Sequence, residues 1–406
     1  MSRRSLVGLL LGALGTSSSA AQERRPMVEI TYERALALAQ ERAPGLAAAR
    51  ARAVEAASHV EAASVWRFNP QLSGGAGPRF RAESATVDWS ASAQQGLEVG
   101  GQRGDRVEAA RAGAAAGAAR SEDARRLLLR EVGVAFVSAL YWERRGALAD
   151  ENLHIAEAIA RVAARRHEVG DAGGLERTVA ALAVVRARSE ADRAEAALAQ
   201  AEGRLKALLG LEAAIELVCL GDLRQLGIRD STGDVGARPD LRALQADIRQ
   251  AEAEAELGRA GRVPDLALGV GYAREESADI LQGSLAITLP VFDHGQGATA
   301  VAEARRERLR AELEAERSAA AIEADTAHTT ARRLSSAARR FEADGLGTLE
   351  RSEQLATASY EAGAIPLGEL LTVRRELVQA KLDYADLLLG AATARVELAA
   401  STGALP

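Results

Sequence analysis

The chain is short of the residues on which most binding and catalytic chemistry rests. Among 406 residues there is one cysteine, Cys219, with two methionines and five histidines. A single cysteine excludes an internal disulfide framework, and the scattered histidines leave little for a metal site. Aromatic residues make up only 3%, against 48% hydrophobic residues overall, and much of that apolar content is alanine. Such a composition suits long helices packed closely through small side chains better than one thick globular core. A net charge of −6, with both signs well mixed, excludes a nucleic-acid surface. Catalytic patterns are missing too: there is no His-Glu-x-x-His, paired-cysteine or Gly-x-Ser-x-Gly arrangement. Gly269-x-Gly271 falls inside an alternating stretch, not at a strand-to-helix turn, so it is no nucleotide fingerprint. His294, in Asp293-His294-Gly295, reads as a turn residue. The expectation is a protein that is not an enzyme and holds neither cofactor nor metal.

The N-terminal apolar run, 6–14, is well short of the ~20 residues that a spanning helix needs. It follows Arg3-Arg4 and precedes small residues ending Ser19-Ala20-Ala21, so residues 1–21 read as a secretory signal cut after Ala21. No cysteine follows that cut, so no lipid anchor is expected there.

What is present is a duplication. Subtracting 193 maps 358–403 onto 165–210 without a gap, and the register is fixed by Glu168/Glu361, Gly170/Gly363, Glu176/Glu369 and Gly210/Gly403. Each copy contains a glycine turn flanked by long helical patterns, near 167–176 and 360–369, and so reads as the tip of a helical hairpin. Thr31 is expected to cap a helix over 32–42; Pro44 opens another to about residue 66, and Pro239 opens its twin to about residue 262. Residues 104–166 carry no proline, which allows roughly 90 Å of helix. The segment 298–362 behaves similarly, with Gly345 and Gly347 as candidate interruptions. Beyond the second tip, Leu370, Val373, Leu377, Ala380, Tyr384, Leu387, Ala391, Ala394 and Leu398 form a heptad seam, widened by Leu371, Val378, Leu382 and Leu389. Residues 211–237 are a glycine-containing connector with no clear period.

Between these helices lie stretches of period two. Residues 87–94 and 281–289 alternate apolar and polar, with upstream partners at 70–77 and 264–273 and polar loops at 78–86 and 274–279. A small amphipathic sheet on a soluble core is one reading. The other is a membrane sheet, since each strand approaches the 9–11 residues that a tilted membrane strand needs. Four strands cannot close a membrane barrel alone, so spanning would require several chains to share one.

The opening Thr31-Tyr32-Glu33-Arg34-Ala35-Leu36, the duplicated halves and the glycine tips together resemble the TolC-like outer-membrane efflux proteins, over essentially the whole mature chain. So do Leu97-Glu98-Val99-Gly100-Gly101-Gln102-Arg103, Leu289-Pro290-Val291-Phe292-Asp293, and Tyr360-Glu361-Ala362-Gly363 followed by Glu369-Leu370-Leu371. The Gly-Gly-Gln-Arg variant is similar to the CzcC-like, metal-exporting branch. The resemblance implies a mainly α fold with a small membrane β-barrel portion: duplicated long-helix hairpins forming a trimeric α-barrel/β-barrel tunnel, with four strands per chain. It implies these segments: signal 1–21; equatorial segment and first ascending helix 22–65; strand pair 66–97; helical hairpin 98–210; equatorial connector 211–237; second ascending helix 238–262; strand pair 263–291; helical hairpin 292–403.

The implied role is an outer-membrane exit duct in a Gram-negative bacterium, with a large periplasmic part. It would pass heavy-metal cations or drugs from an inner-membrane RND-type pump and a periplasmic adaptor (a membrane fusion protein) to the exterior. The implied partners are therefore two further copies of the chain, adaptor, pump and outer-membrane lipid. Carried over by position, the gate falls on Glu176, Glu369 and Tyr360, and the adaptor-docking tips on Val169, Gly170, Asp171, Ala362, Gly363 and Ala364. Three copies of Glu369 on a narrow axis would repel one another and attract cations. Glu176 and Glu369 could equally be carboxylates that stabilise the helix starts beside them. A basic gate partner found in some members falls on Ile365, and a second acidic position on Thr372, so the closed state cannot use the same salt bridges. A type I protein-secretion duct of the same fold, and a periplasmic coiled-coil scaffold or adaptor that does not span a membrane, remain as alternatives.

Overall fold

A computed structural model describes residues 26–81, 84–170, 173–228 and 233–405. The expected signal, 1–21, and the tip residue Asp171 lie outside the described residues. Two long helical hairpins dominate. The first pairs α3 (Gln102–Glu168) with α4 (Gly174–Leu209). The second runs up α6 (Gln296–Arg340), through a π-helical turn at Phe341–Gly345, into α7 (Leu346–Glu361), and returns in α8 (Leu367–Ser401). Shorter helices lie alongside: α1 (Tyr32–Arg42), whose first turn is capped by the Thr31 hydroxyl accepting from the Arg34 amide, α2 (Pro44–Ser64) and α5 (Pro239–Ala260). Pro44 and Pro239 sit at helix starts, where the missing N–H costs nothing.

Alanine seams hold the first hairpin together. Ala149, Ala156 and Ala163 of α3 and Ala180, Ala187 and Ala194 of α4 are all buried, each set at sevenfold spacing. Small side chains at every heptad let the two backbones approach closely over several turns. The larger side chains collect at the level of the termini. Ile30, Tyr32, Leu129, Phe136, Leu205, Leu209, Leu217 and Val396 form one buried cluster there, with Tyr32 edge-on to Phe136 at 5.8 Å.

The connector is more ordered than its sequence implies. It contains strand β4 (Glu216–Leu220), which pairs in parallel with β1 (Met27–Thr31). Leu217 and Cys219 face inward from β4 as Ile30 does from β1, and that alternation over five residues is too short to register as a period.

The long strands β2 (Gln71–Phe80), β3 (Ala85–Leu97), β5 (Asp265–Glu275) and β6 (Ala278–Thr288) form a single antiparallel sheet in the order β2-β3-β5-β6. The expected loops at 78–86 and 274–279 are shorter than read: Pro78 pairs with Val87, and Glu275 with Ala278. Polar residues lengthen these strands because they pair across the hairpins, and Pro78 is tolerated because β2 is an edge strand.

The duplication is visible in the backbone. The glycines with positive φ form three corresponding pairs: Gly101 and Gly295 before α3 and α6, Gly170 and Gly363 at the tips, and Gly210 and Gly403 after α4 and α8.

Candidate channel site: sheet, joint and tips

The strand register gathers the apolar residues on one face. Across β2, β3, β5 and β6, Leu72 lies beside Ala93, Val270 and Gly283, while Leu268 faces Leu285 and Leu266 faces Leu97 and Ile287. Toward the loops the same face carries Val87, Trp89, Tyr272 and Leu281, with Trp89 and Tyr272 rings 5.1 Å apart. The opposite face is small and polar: Ser73, Ser90, Ser92, Gln94, Gly269, Gly271, Gln282 and Ser284. Among the described residues no element covers the apolar face, and Leu72, Phe80 and Leu281 are each about four-fifths exposed (82%, 79% and 78%). At the loop end of the polar face, Arg79 reaches Asp88 at 2.6 Å and Glu275 at 3.0 Å, tying the two strand hairpins together. Among the described residues no helix is long and apolar enough to cross a membrane.

The joint between sheet and helices explains the Leu97–Arg103 motif residue by residue. The buried Gln102 amide donates to the carbonyls of Ala260 and Val263 at the end of α5, and its carbonyl accepts from the Gly100 amide at 2.8 Å. Arg103 donates to the Ser64 carbonyl (2.8 Å) and Arg106 to the Ala63 and Val65 carbonyls, so both occupy the open end of α2. Arg106 also forks onto Glu98 at 2.7 and 3.1 Å, and this hydrogen-bonded guanidinium holds the Glu98 carboxyl below the ordinary glutamate range. In the second half Gly295 lies so close to the Gly258 carbonyl that a Cβ would collide with it. His294 is indeed a turn residue there, its amide bonded to Gln296 Oε1 at 2.9 Å.

At the second tip the chain forms a Schellman turn: the Gly363 amide donates to the Tyr360 carbonyl (3.0 Å) and the Ala364 amide to that of Ser359 (2.8 Å). Gly363 has φ 73° and Gly170 φ 81°, and open space surrounds the position of a Cβ at either. The glycines therefore serve the turn's left-handed backbone, not a close approach within the chain. Val169 is 79% exposed, and Ala362, Gly363 and Ala364 are also exposed.

The three residues at which the resemblance expects a gate have separate surroundings. Glu176 lies in the first turn of α4 and pairs with Arg166 at 3.6 Å, while one of its carboxyl oxygens is buried without a hydrogen bond. Glu369 lies exposed in the first turn of α8. Tyr360 is buried in an apolar contact between the hairpins, with Ala163, Ala180, Ala356, Leu367 and Leu370, and its hydroxyl has no hydrogen-bond partner among the described residues. Ile365 packs against this contact, and the Thr372 hydroxyl turns back onto the Gly368 carbonyl at 2.8 Å. Among the described residues no cluster of three or more His, Cys, Asp or Glu could hold a metal ion.

Paired helical hairpins carrying one amphipathic antiparallel sheet define a class of export protein found in outer membranes. The family model for outer membrane efflux proteins matches residues 35–211 and 236–404, and the chain belongs to that family. It is 26% identical over 298 residues to the cobalt-zinc-cadmium resistance protein CzcC of Cupriavidus metallidurans, covering 72% of this chain and 71% of that one. To the nickel-cobalt-cadmium resistance protein NccC of Alcaligenes xylosoxydans it is 27% identical over 337 residues, covering 77% and 73%. The crystal structure of a membrane protein from Pseudomonas aeruginosa superposes with a TM-score of 0.79 at 22% identity, over 92% of this chain and 93% of that one. The chain is an outer-membrane efflux protein.

Proposed function

We propose that this protein is the exit duct of a tripartite efflux system, passive in itself, and that its cargo is divalent heavy-metal cations. The observation that carries the duct is the sheet. Its outer strands, β2 and β6, leave their open edges unpaired among the described residues, and one face, apolar except for Gln95 and the Arg274–Asp279 pair, is covered by no described element. In a membrane both features are satisfied together only by closure: edges pair with other copies and the apolar face meets lipid. Three four-stranded sheets make a barrel of about twelve strands, comfortably above the minimum of about eight. Phe80, Trp89 and Tyr272 at the loop end and Trp66, Phe68 and Phe292 at the joint end fit the aromatic girdles at the two edges of a bilayer. A periplasmic scaffold would leave that apolar face in water, so the sheet argues against it.

The long hairpins then extend into the periplasm as a helical tunnel whose tips form the gate and dock onto a periplasmic adaptor joined to an inner-membrane pump. Val169, Gly170, Asp171, Ala362, Gly363 and Ala364 make the docking surface. Glu369 lines the opening, Glu176 holds its own turn through Arg166, and Tyr360 seals the hairpins together. The metal cargo is supported by the names of the two resistance relatives; the duct passes the metal and does not store it.

The test is a deletion strain, with and without the gene, grown on cobalt, zinc, cadmium and copper beside a panel of dyes and antibiotics. The expected result is sensitivity to divalent metals alone, rescued by the gene but not by Gly363→Trp. Sensitivity to dyes and antibiotics alone overturns the metal assignment, and a protein absent from the outer-membrane fraction overturns the duct.

A further inference from the structure

Every member of the α8 seam is leucine, valine or alanine except Tyr384. That tyrosine is only 8% exposed, and its hydroxyl is buried with no hydrogen-bond partner among the described residues. Phe341 of the π-helical turn stacks on its ring at 5.0 Å and almost parallel, 12° between the planes, so the phenol is held in one place. A buried donor left unmet is costly, and a native fold rarely keeps one without a use. Tyr384 forms part of the wall of a cavity of about 430 Å³ between α3, α7, α8 and the connector. Small-molecule sites run from about 300 to 1,000 Å³.

Most charges in that wall are already matched. Arg224 donates to both oxygens of Asp222 (3.0 and 2.8 Å) and to Glu342 (3.3 Å). Lys381 is held by Glu151 at 3.0 Å and Glu353 at 3.1 Å. The lining carboxylate outside these pairs, Glu350, is exposed. Two groups are left over: the Tyr384 hydroxyl and the guanidinium of Arg144, which forms no ion pair among the described residues. Burial, then the Glu342 carboxylate, push the Tyr384 phenol above its usual range against the pull of Arg224 and Arg144. The phenol therefore stays protonated at neutral pH and has a proton to donate. Leu140, Leu148, Leu346, Leu349 and Leu388 make up much of the remaining wall. Water beside leucine finds too few polar partners to be well held, so an apolar group displaces it favourably.

The geometry points to a binding site for a small organic anion, a carboxylate or phosphate monoester with an apolar body. Its anionic oxygens accept from the Tyr384 hydroxyl and from Arg144, and its body lies on the leucines. The site is built from one chain, so it does not depend on reading the sheet as part of a membrane duct.

The test is isothermal titration calorimetry of the full-length protein in phosphatidylcholine nanodiscs, with empty discs as the blank. The probes are 4-phenylbutyrate, 3-phenylpropyl phosphate, the uncharged 4-phenylbutanol and inorganic phosphate. At least one of the two organic anions should saturate a single site in each chain. The alcohol and inorganic phosphate should each bind roughly tenfold more weakly or worse, since each lacks one half of the recognition. Tyr384→Phe keeps the ring and its stacking on Phe341, and Arg144→Gln changes an exposed side chain, so both variants should fold. Each should weaken the organic anion roughly tenfold. Wild-type affinity in both variants would put the anion elsewhere and overturn the site. Binding of the alcohol as tightly as the anions overturns the anionic class, and equal binding of inorganic phosphate overturns the apolar half. If neither organic anion binds saturably, the cavity holds water alone and the proposal fails.

Discussion

Cys219 is the residue whose chemistry is most completely decided by its place. It points inward from β4 into the cluster around Leu205, Leu209 and Phe136, and burial pushes its thiol up to about 12. The thiolate is the reactive form, so at pH 8 the folded protein should resist maleimide labelling for hours, and the same protein in urea should label at once. Prompt labelling of the native protein would mean that this cluster opens. Tip glycines were legible in the sequence because a left-handed turn leaves one visible residue type. Gln102 was legible only as part of a family motif: its partners, Ala260 and Val263, lie about 160 residues away (158 and 161), and nothing local announces a side chain that bonds to the other half. The ion pair of Glu151 with Lys381 was invisible for the same reason, since both are ordinary helix-surface residues until α3 and α8 are set side by side.

Among the elements, the π-helical turn at Phe341–Gly345 has the clearest consequence. Along α6 the buried positions Ala324, Ala331 and Ala338 repeat every seven residues, and in α7 the inward positions Leu346, Glu353 and Tyr360 repeat likewise but one residue late. The π-turn absorbs that extra residue, so one almost continuous helix presents two seams in different phase. Phe341 stacks on Tyr384 at 5.0 Å, and Glu342 takes Arg224 of the connector at 3.3 Å, pinning the turn where the phase changes. Inserting one further alanine after Ala343 exceeds what a single π-turn absorbs and would rotate α7 by about 100° relative to α6, turning Glu353 and Tyr360 from their partners. The loss of one buried tyrosine contact and one ion pair should cost about 3 kcal/mol, read as a lower midpoint of thermal unfolding followed by helical circular dichroism. An unchanged midpoint would show that the turn is no phase-setting device. Gly345 and Gly347 had marked the interruption in the sequence, but not its kind. A π-turn is a difference of one residue between two seams, and it shows only when each seam's partner is known.

For the molecule as a whole, the four-stranded sheet meets the helices at the joint around Gln102, and the Glu98–Arg106 fork carries a charge there. The Glu98 carboxyl lies below its ordinary range because Arg106 hydrogen-bonds its ionised form. A carboxyl whose folded value is depressed adds stability that is fully present above the unfolded value, about 4.3. That stability is lost as the pH falls from there through the folded value. With Glu98 only 7% exposed and Arg106 25%, the pair should contribute about 1 kcal/mol. Unfolding midpoints measured from pH 6 down to pH 3 should therefore fall more steeply for the wild type than for Glu98→Gln, which is uncharged throughout, and the two curves should converge at the acid end. The Gln variant should start lower at pH 6, since an amide binds the guanidinium less strongly than a carboxylate does. Parallel curves across the whole range would mean that the sheet is coupled to the helices by Gln102 and the arginine–carbonyl bonds alone, and that acid reaches the molecule elsewhere. Convergence would place an acid-sensitive point of the molecule at the joint, where the proposed lipid-facing sheet meets the long helical hairpins.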